Sequence, residues 1–216
     1  MKVSNYTQSR DVFSRINSSN IQDNESKDLE RAKDAIRITS KEKALYPENL
    51  TKKDVKKMAK YVNNTHLHYS GNCVLLSSCL HYNIHHRQDI LSAKNTASPT
   101  VGLDKEIVEQ VVFGQELKPS HYFHSIDDVE NEILNRHHIN GDNSFIIRAD
   151  SYKVPIFGEC EHDFNAVVIC ESDEAPRVQI IDAWKTSNTL PTLDEMKKHF
   201  PPLTSFYIRN YNDKHD

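Results

Sequence analysis

Cys73 is the residue whose setting best fits a nucleophile. A cysteine attacks through its thiolate, and the first turn of a helix favours that anion through its free N–H groups and its dipole. Gly71-Asn72 breaks the chain just before Cys73, and the run Cys73–Tyr82 is largely apolar. Asn72 is a favoured N-cap, which puts Cys73 at the first helical position. The backbone N–H groups there could also hold an oxyanion during acyl transfer. The plainer role for Cys73 is that of a small core residue.

A thiol nucleophile needs a base, and the chain has 12 histidines, so context must select one. His162 opens an apolar strand, EHDFNAVVIC, where a strand end can face a cleft while its body packs in the core. The other histidines, among them His66, His68, His121, His137 and His199, lie mostly in polar helical or loop text and are expected at the surface. His81, His85 and His86 are spaced closely enough for a metal cluster, but no carboxylate or cysteine group accompanies them. No metal and no cofactor is expected. The group that holds the far nitrogen of an imidazole is usually a carboxylate. Asp182 ends the next strand, VQII, beyond the turn ESDEAP. With the turn centred near Asp173, His162 and Asp182 lie roughly opposite on paired strands. Trp184, the single tryptophan, could cover the pair from water. An ordinary strand-end aspartate and a packed core tryptophan are the simpler alternatives.

The elements that must position these residues change character along the chain. Met1–Ser26 is rich in Ser, Asn and charge and reads as flexible. Lys27–Leu45 has apolar residues at roughly helical spacing, ended by Pro47. Thr51 caps a helix through Val62, with Asn63-Asn64 as its stop. Ile107–Phe113 is apolar and of open type. Ser125 caps a helix over Ile126–His137, and Gly141-Asp142-Asn143 is a turn. The period then shortens. Ser144–Arg148, Phe164–Cys170, Val178–Ile181 and Phe206–Ile208 are β-branched or aromatic runs bounded by turn residues, and Thr192–Phe200 is a short helix. Helices followed by an antiparallel sheet make an α+β protein. The composition divides it into an N-terminal helical segment, 1–64, for export or docking, and a core, 65–216.

The 216 residues carry a net charge of −4 and are 37% hydrophobic. That argues against nucleic acid as a partner. No run approaches the ~20 apolar residues of a membrane span, and the N-terminal text lacks the apolar stretch of a signal peptide. Cys73, Cys79, Cys160 and Cys170 form no CxxC pair and read as thiols in a reducing compartment. Thr51–Lys60 holds five lysines and one aspartate, as expected for the outer face of a helix.

Cysteine at a helix start, histidine opening a strand and aspartate ending the next is an order that resembles the papain-like cysteine hydrolases. H-D-F-N-A-V-V-I-C is similar to their histidine strand. I-I-D-A-W is similar to their Asn-Ser-Trp segment, with aspartate in place of asparagine. Aspartate there resembles the bacterial effector and toxin members, both proteases and glutamine deamidases. The resemblance covers about residues 65–210. It implies a papain-like fold with N-terminal helices packed on the sheet, and a Cys73–His162–Asp182 triad. It also implies hydrolysis of an amide in a host protein, by an effector exported from the bacterial cytoplasm without a cleaved signal peptide. The family's oxyanion glutamine, six residues before the cysteine, is Leu67 here; His68, Asn64 or Asn72 would have to substitute. A transglutaminase-like enzyme also orders Cys, His and Asp, though commonly with a shorter Cys–His interval. A non-catalytic binding module, working through the lysine face, is the reading of a different class.

Overall fold

Within Ser144–Arg148 the apolar residues Phe145, Ile146 and Ile147 are consecutive rather than alternate, the composition of a strand buried on both faces. The computed structural model describes residues 18–39, 45–63, 73–93, 103–154, 158–171, 174–185 and 189–212. In it, β3 (Ser144–Val154), β4 (Gly158–Ile169), β5 (Arg177–Ile181) and β6 (Ser205–Arg209) form an antiparallel sheet of order β5-β4-β3-β6. Phe145, Ile147, Phe164 and Ile180 pack into one core with α5 (Ile126–Asn140) and α6 (Leu193–His199). Ile146, Val167, Ile169 and Ile181 pack into another, with α1 (Ser18–Ala35), α2 (Lys52–Val62), α3 (Cys73–His86) and α4 (Lys105–Phe113). Helices therefore cover both faces of the sheet, and the architecture is α+β.

Local signals fix several boundaries. Thr51 closes a capping box with Asp54 at the start of α2, and Asn63 caps its end. Ser125 caps α5, which ends at Gly141 in the left-handed conformation. The open element Ile107–Phe113 is part of helix α4. The expected helix over Lys27–Leu45 is corrected: α1 begins at Ser18 and stops at Ala35, and Ile36–Ile38 is strand β1, paired antiparallel with β2 (Leu91–Ala93). The β-branched Ile36 and Ile38 suit a strand once a partner is present, and that partner lies more than fifty residues away. Ala32, Ala35, Val55, Met58 and Val62 share a core with Leu75, Leu80 and Ile146. Residues on both sides of the boundary read at 64/65 thus pack together.

Helix α3 runs past Tyr82 to His86 and is buried almost all round, as its lack of a polar face requires. His81 was expected at the surface and is fully buried. Its Nε2 accepts from the Tyr211 N–H at 3.1 Å, which leaves the ring proton on Nδ1, 2.8 Å from Ser144 Oγ. Burial, with His85 and Arg209 nearby, lowers its pKa to about 3, so it is neutral.

Candidate active site

Helix α3 packs on the sheet so that Asn165 of β4 donates from Nδ2 to the Ser77 carbonyl at 3.0 Å. Cys73, the first residue of α3, lies one turn before that contact. Its thiol is 1% exposed. Asn72, His68 and Asn64, named as cap and oxyanion candidates, lie outside the described residues.

His162 does not open β4; it is the fifth residue of a strand that begins at Gly158. The polar text Gly158–Glu161 carries no strand signal of its own, and pairing with β3 draws it into the sheet. His162 pairs with Ala149, and the register shifts between Ala149 and Tyr152. Two residues of β3 there face the single Glu161 of β4, a bulge beside the histidine. Asp182 follows the last residue of β5. Asn165 pairs with Ile181, so Asp182 continues the register level with Phe164. It is therefore diagonal to His162 on the same face rather than directly opposite, a separation side chains can bridge.

They do bridge it. His162 Nε2 lies 3.0 Å from Asp182 Oδ2, and both side chains are fully buried. Trp184 packs edge-on against the His162 ring at 5.8 Å, and Phe164 stacks on it at 5.9 Å. The Asp182–Trp184 segment is held from outside. Asn63 donates to the Ala183 carbonyl at 2.7 Å, and the Asp182 N–H donates to the Thr189 carbonyl at 2.9 Å.

Burial alone would push the His162 ring down. The Asp182 carboxylate outweighs it and, with Cys73 acting through charge and a hydrogen bond, raises the pKa to about 10. Nδ1 nevertheless has no partner with full hydrogen-bond geometry. Asp182 moves the other way. Burial raises it, but the charges of His162 and Lys185 hold its carboxyl below the usual range. The structure thus brings an imidazole and a buried carboxylate into direct contact. Cys79, six residues on, is fully buried, and burial pushes its thiol up to about 12.

Sequence reasoning missed two features. Arg148, Glu161, Asp163, Arg209 and Glu109 form a buried ionic network directly behind His162. Asp163 accepts from Arg148 at 3.1 Å and from Arg209 at 2.6 Å, and Glu109 also receives the Leu117 N–H at 2.8 Å. The available signal was single charges inside apolar strand text, which must be paired when buried. The second is Lys185, whose Nζ lies 3.5 Å from Asp182 Oδ2. Among the described residues no group of three or more His, Cys, Asp or Glu could hold a metal ion, and no helix is long and apolar enough to cross a membrane.

Comparison with known proteins gives consistent matches. A family model described as Salmonella plasmid virulence protein SpvD matches residues 1–212. Virulence protein vsdE of Salmonella typhimurium (strain LT2) and virulence protein SpvD of Salmonella dublin are each 62% identical over 216 residues, all of both chains. Two solved structures, both of the Salmonella effector SpvD, are similar. The G161 variant has a TM-score of 0.83 at 61% identity, covering 95% of this chain and all of that one. The R161 variant has a TM-score of 0.74 at 54% identity, covering 94% of this chain and all of that one. The present chain has Glu161.

Proposed function

The chain belongs to the SpvD family of Salmonella plasmid virulence proteins, which are virulence effectors, and from that premise we propose that it is a papain-like thiol hydrolase acting on an amide in a host protein. The observation that carries the reading is the buried His162–Asp182 pair at 3.0 Å, with Cys73 at the head of α3 acting on the same ring. The chain order Cys, His, Asp supports the papain-like assignment, as does the packing of the cysteine helix on the sheet that holds the other two.

In this mechanism the Cys73 thiolate attacks the carbonyl carbon and forms a C–S bond, pushing the carbonyl electrons onto oxygen. Backbone N–H groups at the start of α3 hold that oxyanion. The His162 imidazolium gives its proton to the leaving amine as the C–N bond breaks, and a thioester remains. Neutral His162 then takes a proton from water, whose oxygen attacks the thioester. The acid leaves, and the thiolate and imidazolium are restored. Asp182 holds the ring by Nε2 throughout, leaving Nδ1 for the sulfur. Peptide, isopeptide and glutamine amides all react by this route, and we rank proteolysis above deamidation. Because Cys73 is 1% exposed, a protein substrate must displace part of the cover over it.

The test is the rate of iodoacetamide labelling at Cys73 against pH, in wild type and His162→Ala, with Cys79 as internal control. Labelling that is fast below about pH 7 and slows when His162 is removed supports a thiolate–imidazolium pair. Slow labelling with an ordinary thiol profile in both proteins would overturn the assignment. A binding module presenting the exposed lysines of α2 would then be the better account.

A further inference from the structure

Asp182 carries two cationic partners on one oxygen. His162 Nε2 lies 3.0 Å and Lys185 Nζ 3.5 Å from Oδ2. The other oxygen, Oδ1, is buried without a hydrogen-bond partner. Lys185 is placed there by a tight turn, in which its N–H donates to the Asp182 carbonyl at 3.1 Å. Its side chain is 22% exposed, whereas those of Asp182 and His162 are fully buried. Lys185 is thus a charge at the solvent rim that reaches inward to the orienting carboxylate.

The chemistry gives that contact a use. An imidazolium buried against a lone carboxylate holds its proton strongly, yet the mechanism requires the ring to surrender that proton to the leaving amine and then to take one from water. A second cation on the same oxygen weakens the hold of the carboxylate on the ring. We propose that Lys185 is a positioning residue that sets the proton affinity of His162 through their shared contact with Asp182 Oδ2. The inference rests on the thiol-hydrolase reading of the site.

Other charges act on the same ring and must be kept constant. Cys73 approaches from α3, and Asp163 follows His162 on β4. His199, at the end of α6, interacts with His162, Asp182 and Lys185. Tyr152 of β3 interacts with Cys73 and Asp182. Among the described residues, Lys185 is the one besides His162 itself that forms an ion pair with the carboxylate that holds the ring.

The experiment is NMR of isotope-labelled histidine in the full chain, with the His162 signal assigned by its loss in His162→Ala. The neutral-ring fraction at about pH 9 is compared in wild type, Lys185→Met, Lys185→Gln and Lys185→Arg. Removal of one charge at this range should cut the neutral fraction about tenfold in the Met and Gln variants and leave it unchanged in the Arg variant. A role confined to packing over the carboxylate predicts the reverse, with Arg as disturbed as Met and no change in the neutral fraction for Gln. That result overturns the proposal. Cys73→Ala is run alongside as the separate check on the underlying reading. If Cys73→Ala leaves the His162 titration unmoved, thiol and imidazole are uncoupled, and the hydrolase reading falls together with the inference. If that variant shifts His162 while Lys185→Met and Lys185→Gln do not, the inference alone falls.

Discussion

Replacing Asp182 with asparagine should remove a pH-dependent part of the folding stability. In the native state the Asp182 carboxylate, acting against burial and with a smaller share from Cys73, holds His162 to about 10, compared with an ordinary 6.5, so the full gap is an upper limit for Asp182 alone. A group whose pKa is raised on folding stabilises the native state fully below its unfolded value. That contribution fades as pH rises through the folded value. Asp182 is shifted downward from 3.8, so its share is present above that value and is lost as pH falls through the folded one. The two shifts describe one interaction and count once. The gap of about 3.5 pH units, at about 1.4 kcal/mol each, sets a ceiling near 5 kcal/mol. Lys185 shares the carboxylate and asparagine keeps an acceptor for Nε2–H, so the loss expected near pH 7 is about 3 kcal/mol. The assay is urea unfolding of Cys73→Ala and Cys73→Ala/Asp182→Asn, a background that takes the thiol out of the titration. The difference between the two should be about 3 kcal/mol near pH 7 and below about 1 kcal/mol near pH 10.5. An equal difference at both pH values would refute an ionic pair and leave a neutral hydrogen bond in its place.

Two further outcomes follow from buried charge and from backbone conformation. Arg209→Met leaves Asp163 and Glu109 buried with their shared cation gone. It should lose about 3–5 kcal/mol by urea unfolding, and Arg209→Met/Glu109→Gln should lose less than the sum of the two single changes. Gly141 sits at φ +75° with nothing within 4 Å of an added Cβ, so Gly141→Ala should cost about 1 kcal/mol from backbone strain alone. A larger loss would point to a clash that the open space excludes.

The sequence by itself determined the elements whose signals are local. A turn ahead of an apolar helix marked Cys73. The N-caps Thr51 and Ser125 and the glycine stop at Gly141 fixed α2 and α5. Two apolar runs around ESDEAP gave the hairpin that brings His162 near Asp182. Each depends on a few adjacent residues, so a short window holds all the information. The tertiary structure decided the rest. Strand β4 begins four residues before His162, because pairing with β3 recruits polar text that has no strand signal. The diagonal offset of Asp182 came from the register, in which Asn165 pairs with Ile181. His81 is buried because α3 is covered almost all round, and it finds its partners at Ser144 and Tyr211. The network behind His162 joins Glu109 to Arg209 across 100 residues and Asp163 to Arg209 across 46. No local pattern specifies such pairs. They exist because the sheet order β5-β4-β3-β6 carries distant segments to one face, where charges removed from water must meet opposite charges.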